Sequence, residues 1–254
     1  MSISIGRKKL GTLRAVVLVS ALAMVAGTAS ATPLKVYVKE DAIVNAGTSY
    51  LGLHPLQADG TLAAQQVWNV YVGSFDIDVA KTPSGPWQTY LAYCVDPWNW
   101  SSSAALGYYA TDLATIVEPA HASYDVEQLV EHADEIEALY SRYYGGTIGN
   151  TAKSAAFQLA LWEIVSDGHV DKVSGADPTI WKDGQAILSA LEASDFAPGS
   201  QHYQLTAYYV DRGADGRQIV GQNYIVATAV PEPGSAALAA LGLAALFKLR
   251  RRSA

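Results

Sequence analysis

The two ends of the chain decide how much of it is free to fold. Met1 to Ala31 carries a basic stretch (Arg7, Lys8, Lys9, Arg14), an apolar run from Ala15 to Ala26, and a small-residue close at Ala29-Ser30-Ala31. That order predicts a secretory signal peptide, with Ala29 and Ala31 as the signal peptidase recognition pair. The apolar run is shorter than the roughly 20 residues that cross a bilayer, which argues against the alternative of a retained anchor. At the other end, Val230-Pro231-Glu232-Pro233-Gly234 leads into an apolar stretch, Ser235 to Phe247, and then a basic cluster of Lys248, Arg250, Arg251 and Arg252. Pro231 and Pro233 break any preceding strand or helix and leave an extended, accessible segment. The apolar stretch predicts a short C-terminal transmembrane helix, with the basic cluster on the cytoplasmic side of the inner membrane. The chain thus divides into residues 1–31, residues 32–229 and residues 230–254.

Pro231-Glu232-Pro233, the short apolar helix and the arginine cluster together resemble a PEP-CTERM tail, a sorting signal of many Gram-negative bacteria. The resemblance implies recognition by an exosortase, a membrane cysteine protease, with removal of the helix near the Pro-Glu-Pro site. The inner membrane would then be a transient partner, and the final location the cell envelope, the cell surface or the extracellular matrix. A permanent C-terminal anchor is the alternative, and the marginal length of the span argues against it.

Setting the ends aside changes the charge of what remains. Eight of the 17 basic residues lie in the two end segments, against one of the 24 acidic residues, Glu232. The central part therefore holds 9 basic and 23 acidic side chains, a formal net charge of −14. Nucleic acid is excluded as a partner on that balance, because phosphate binding needs a basic surface. About 200 residues are enough for one sizeable core. That core must hold without an internal disulfide, since Cys94 is the single cysteine. A lone thiol in an oxidising compartment is buried, paired between chains or chemically committed.

Within residues 32–229, strand-like segments frame a helical block. Leu34–Val38, Val67–Ala80, Trp87–Val95, Tyr203–Val210 and Ile219–Val230 are rich in β-branched and aromatic residues, with Gly/Pro/Asp-rich loops between them. Between Cys94 and Tyr203 the apolar period lengthens. A first helix is predicted from Val126 to Tyr143, capped by Asp125 and stopped by Gly145-Gly146. A second runs from about Ala152 to Ser166. A third starts on Asp177 with Pro178 in its first position and reaches about Leu191, with an interruption at Gly184. The expected fold is mainly β with a helical insertion (α+β): a β-sandwich or open barrel plus a helical block.

Two segments carry the candidate chemistry. Tyr93-Cys94-Val95-Asp96 ends a strand, and Phe157-Gln158-Leu159-Ala160-Leu161-Trp162-Glu163 lies on the middle helix. Phe157, Ala160, Leu161, Ile164 and Val165 make an inward stripe, and Gln158 sits at its edge beside Trp162, four residues on. A polar amide placed there needs a hydrogen-bond partner. Tyr93-Cys94-Val95 and Phe157-Gln158-Leu159-Ala160-Leu161-Trp162 resemble the two motifs of the thioester domain of bacterial surface adhesins, in the same order. The resemblance implies an internal thioester between the Cys94 sulfur and the Gln158 side-chain carbonyl, formed with loss of ammonia and opened by a primary amine. Tyr93 and Trp162 would shield the bond, and Asp96 and Glu163 would activate it or manage protons. The function implied is covalent attachment to an amine-bearing matrix or surface molecule, a single-turnover tether rather than an enzyme, with no cofactor and no metal.

Other readings stay open. A non-covalent structural or carbohydrate-binding matrix protein with an inert, buried Cys94 is the main alternative, with Trp98, Trp100, Tyr108 and Tyr109 as stacking surfaces. A cysteine hydrolase would need one of His54, His121, His132, His169 or His202 beside Cys94, and none sits in a telling motif. Asp211 and Asp215 fit a hairpin turn better than a calcium loop. Sequencing the N-terminus of the exported protein should give Thr32 as its first residue; a chain beginning at Met1 would contradict the signal-peptide assignment.

Overall fold

The computed structural model describes residues 33–54, 63–97, 99, 101–116, 124–166, 169–210 and 221–230. The expected signal peptide, the sorting motif Pro231-Glu232-Pro233, the expected transmembrane helix and the basic cluster lie outside the described residues, as do Trp98, Trp100, His121, Asp211 and Asp215. Among the described residues, no helix is long and apolar enough to cross a membrane.

In chain order the strands are β1 (Leu34–Leu53), β2 (Gln66–Ala80), β3 (Gln88–Cys94) and β4 (Leu106–Asp112). Four helices follow: α1 (Tyr124–Glu131), α2 (Ala133–Tyr143), α3 (Thr151–Val165) and α4 (Pro178–Glu192). The short strand β5 (Val170–Lys172) separates the last two helices, and β6 (Tyr203–Val210) and β7 (Tyr224–Ala229) complete the chain. The protein is mainly β with its helices gathered between β4 and β6, an α+β arrangement.

All pairings are antiparallel, in the order β2-β3-β7-β6-β4-β1, and β1 pairs in turn with β2. Six strands therefore form a closed hydrogen-bonded circuit, rather than the sandwich or open barrel expected. Closure leaves few bare edges. It depends on the length of β1. Residues Leu34–Val38 pair with β4, whereas Tyr37–Leu53 pair with β2, and β5 adds to Leu51–Leu53. Register shifts between Glu40 and Ala42 and between Val44 and Ala46 bend the strand so that it serves both sides. Gly73, opposite Ala46, is tied to the second shift: a Cβ there would stand 2.5 Å from the Asn45 carbonyl oxygen.

Strand alternation divides the apolar residues into two clusters. Val36, Val38, Ile77, Ala92, Cys94, Tyr108, Tyr208, Val210, Tyr224 and Val226 fill the barrel and are joined by Leu159 and Trp162 of α3. Tyr93, Leu205, Ala207, Tyr209 and Ile225, on the outer face, pack against Ile136, Leu139, Tyr140, Phe157, Ala160 and Leu161 from the helices. Helix α3 lies between the two. Asn150 caps it by accepting the Lys153 N–H at 3.0 Å, and every residue from Ser154 to Trp162 is buried. The expected one-sided stripe is therefore wrong for α3, which is enclosed on all sides.

Of the other helices, α4 starts on its local signal, whereas Asp125, the expected cap of the first helix, lies inside α1. Asp177 caps α4 by accepting the Thr179 and Ile180 N–H groups at 2.8 and 3.0 Å. The predicted first helix is two, α1 and α2, separated at His132 (φ −102, ψ 19), whose ring bonds Gln128 on one side and Glu135 on the other. Gly184 does not interrupt α4. It lets α4 approach α3, because a Cβ at 184 would meet Leu159 Cδ2 at 2.8 Å. Gly184→Val should lower stability by about 2 kcal/mol through overpacking. Gly146→Ala, whose Cβ meets nothing nearer than Lys153 Cδ at 3.7 Å, should stay within about 0.5 kcal/mol of the parent in a urea denaturation series.

Candidate functional site

Cys94 is the last residue of β3, and its backbone edge explains what gathers around it. Ser74 pairs with Tyr93, and there the β2–β3 ladder stops. Gly73, the next residue back on β2, keeps its pairing with Ala46 of β1 on the other edge, and no β2 residue pairs with Cys94. On the other side β7 continues, pairing Tyr224 with Cys94, and the Val95 N–H donates to the Asn223 carbonyl at 3.0 Å. The Cys94 N–H and C=O therefore face a gap where a strand would otherwise be.

Gln158 closes that gap. The Cys94 N–H donates to Gln158 Oε1 at 3.0 Å, and Gln158 Nε2 donates to the Cys94 carbonyl at 2.7 Å. The side-chain amide thus stands in for one peptide unit of a strand. Both residues are fully buried, at 0% exposure. Gln158 lies within the enclosed helix, not at the margin of a stripe, and its polar atoms are satisfied by the residue it was paired with from sequence.

The Cys94 side chain points into the barrel cluster, with Tyr108 and Tyr224. Its thiol donates to Asp96 Oδ1 at 3.5 Å. Burial, and then the negative charge of Asp96, push the thiol pKa well above its usual value. The Trp162 indole N–H acts the other way, favouring the thiolate, but more weakly. Trp162 is 2% exposed, and its Nε1 makes no hydrogen bond of good geometry. Asp96 is fully buried and strongly held: Oδ1 accepts the Asn223 N–H at 2.9 Å, and Oδ2 accepts from Asn99 Nδ2 at 2.9 Å.

Of the remaining predicted site residues, Tyr93 is near but faces the other way. Its ring packs on Phe157, centroids 4.5 Å apart, and its hydroxyl pairs with Ser154 at 2.9 Å. It covers the helix side of β3, one strand position from the thiol. Glu163 is a correction. It accepts from Gln185 Nε2 of α4 at 3.3 Å and feels the charge of Asp171, so it serves the α3–α4 face and not Cys94. Its neighbour Trp162 reaches the site because successive helix residues point about 100° apart. His54 binds Asp171 at 3.0 Å, and His132 binds Gln128 and Glu135, rather than the thiol. Tyr108, expected as a stacking surface, is inside the barrel at 2% exposure. Among the described residues no group of three His, Cys, Asp or Glu side chains is placed to hold a metal ion. Sequence reasoning missed Asn99 and Asn223. Asn99 orients Asp96 from three residues along the same turn and Asn223 from 127 residues away, and no motif marks either.

At the opposite end of the barrel lies a cavity of about 720 Å³, walled by Val36, Tyr90, Ala110, Thr206 and Tyr208. The chain enters its tail from that same end, since β7 runs from Tyr224, beside Cys94, to Ala229, beside Tyr203.

Comparison with family models matches residues 229–252 to the PEP-CTERM protein-sorting motif. No curated protein sequence matches the chain. The protein is therefore an exported one with an exosortase-type sorting tail, destined for the cell envelope or the outside of a Gram-negative cell.

Burial, and then the Asp171 charge, push the Glu163 pKa from the usual 4.5 up to about 7. Between those values the folded protein binds more protons than the unfolded chain, so this group makes stability fall as pH rises through the window. Glu163→Gln should flatten that fall, read as urea midpoints from pH 4.5 to 8. An unchanged slope would contradict the assignment.

Proposed function

We propose that the protein attaches covalently to amine-bearing matrix or surface partners through a thioester between Cys94 and Gln158. The observation that carries this reading is the reciprocal pairing of the Gln158 amide with the Cys94 backbone, 3.0 and 2.7 Å, in a site with no solvent exposure. The pairing fixes the amide against the residue whose sulfur must attack it, which supplies proximity. The Cys94 N–H bonded to Oε1 is placed to stabilise the negative charge that grows on that oxygen during attack. In the step proposed, a bond forms between Cys94 Sγ and Gln158 Cδ, the Cδ–Nε2 bond breaks, and ammonia leaves. The enclosing shell of Trp162, Tyr108 and Tyr224 keeps water from the product. A primary amine that gains entry displaces sulfur, leaving an amide on residue 158 and a free Cys94 thiol. The outcome is a tether, formed once per molecule. Signal peptidase and an exosortase-type protease are the processing partners, with the inner membrane a transient one.

A second reading is a non-covalent binding protein of the matrix in which Cys94 stays an inert thiol. The tyrosine-walled cavity at the opposite barrel end favours it. Intact mass separates the two. The thioester reading expects the processed protein to be lighter by one ammonia than its sequence requires, with methylamine adding to Gln158 and freeing one thiol. A full mass, no methylamine adduct, and a thiol alkylated as soon as the protein is unfolded would leave the second reading standing. Cys94→Ala should restore full mass and abolish the adduct while keeping the thermal transition.

A further inference from the structure

Resting on the thioester reading above, we infer that Asp96 is the proton carrier of the reaction, with the Trp162 indole N–H bearing the charge on sulfur. The formation step has a definite proton balance. The thiol must lose a proton as sulfur adds to Cδ, and the departing nitrogen must gain one to leave as ammonia. A buried thiol cannot exchange that proton with water. Asp96 Oδ1 is the carboxylate oxygen that the thiol faces, at 3.5 Å, on the same strand end. It takes the S–H proton as the S–Cδ bond forms. Sulfur and nitrogen are then attached to one carbon, so the group that faces the first is within a bond angle of the second. The Asp96 carboxylic acid returns the proton to Nε2 as the Cδ–Nε2 bond breaks. When an amine later opens the thioester, the same relay runs from the amine nitrogen to the departing Cys94 sulfur. No other reactant is needed in either direction.

Two further observations support these assignments. Asp96 is oriented by two donors, the backbone N–H of Asn223 at Oδ1 and the Asn99 amide at Oδ2, which keep Oδ1 turned to the thiol. The second observation is the Trp162 Nε1 donor, buried and without a well-formed hydrogen bond, beside the Cys94 sulfur. Buried donors are seldom left so. A thiolate, whether attacking or leaving, would give this N–H the acceptor it lacks.

Charge alone predicts the reverse of this proposal. Removing the Asp96 carboxylate removes a negative group beside the thiol, which on electrostatics should ease thiol ionisation and speed its chemistry. Proton carriage predicts that Asp96→Asn slows it. Asparagine keeps the acceptor for the Asn223 N–H, and Asn99 can turn its amide to suit the new group. The test follows ammonia loss by intact mass after induction, and methylamine uptake by whatever thioester has formed, in the exported full chain. Asp96→Asn should slow both by about a hundredfold or more, in the range general acid–base groups supply, with the thermal transition retained. Asp96→Ser, which opens room beside the sulfur, should be slow alone and recover on addition of formate. Trp162→Phe, which keeps the ring and drops the N–H, should slow both steps about tenfold or more, in the range of one lost charge-stabilising donor.

Variants that lose ammonia and take up methylamine at the parent rate overturn the proton-carrier role while leaving the thioester intact. So does a slow Asp96→Ser that formate fails to restore. A parent protein with no mass deficit overturns the thioester itself, and this proposal with it.

Discussion

Strand β3 reaches Cys94 with a hydrogen-bonding edge that β2 has already abandoned, and the centre of the molecule is arranged around filling that edge. The β2–β3 ladder ends at Ser74 and Tyr93, while β2 runs on beside β1 through Gly73. An unpaired N–H and C=O at a fully buried position would each cost about 1–3 kcal/mol. A glutamine amide is a peptide unit on a stalk, with one acceptor and a pair of donors, so it can complete a ladder that no strand continues. Helix α3 must therefore pass close enough for Gln158 to reach, and that requirement encloses the helix. Leu159 turns into the barrel cluster, while Phe157, Ala160 and Leu161 turn to the helices. Gly184 then brings α4 against the face that remains.

A structural glutamine and a reactive one are not alternatives here. The bonds that satisfy the Cys94 backbone also fix the Gln158 amide at the residue whose sulfur attacks it in the proposed reaction. In the proposed reaction the Cys94 N–H keeps its partner throughout, since Oε1 remains on the carbon attacked. Only the bond from Nε2 to the Cys94 carbonyl is given up when ammonia leaves. The fold thus needs little rearrangement between the two states. Charge works against spontaneous reaction in the thiol state, because burial and Asp96 both disfavour a free thiolate. A route in which sulfur gives up its proton only while bonding to carbon, to a carboxylate already in contact, fits that restraint.

How far the sequence disclosed this depends on how local each signal is. The cap Asp177 acts within three residues, and the helix start it predicts stands where expected. The pairing of Cys94 with Gln158 was legible only through the resemblance of Tyr93-Cys94-Val95 and Phe157–Trp162 to two motifs of one family, since neither residue's local context names the other. Strand β4 and the second half of β1 were not legible. Bulges shift the alternation of β1 out of phase, and the charged Lys39-Glu40-Asp41 run reads as a loop. Tyr108 and Tyr109 read as a surface cluster because adjacent aromatics do not reveal which faces inward. Glu163 misled for a related reason: adjacency along a helix is not adjacency in space. Barrel closure was out of reach, since it rests on Tyr37 and Val38 pairing with two strands at once, a long-range property of register.

The polarity of the barrel links the site to the tail. β3 begins at Gln88 near the cavity and ends at Cys94, while β7 begins at Tyr224 beside Cys94 and runs back to Ala229. Six residues of extended chain, about 17 Å at the usual strand rise, therefore separate the sulfur from the point where the chain leaves for its sorting motif. Leu34, a few residues beyond the predicted signal cleavage point, stands at that same end, paired with Ala110. The segments on which signal peptidase and an exosortase would act are thus joined to one pole, and the Cys94–Gln158 pair occupies the other. On the proposed function, a bond that amines and water can open would be kept from the proteases that handle both ends of the chain. On the proposed function, that separation is what lets export and sorting finish before attachment begins.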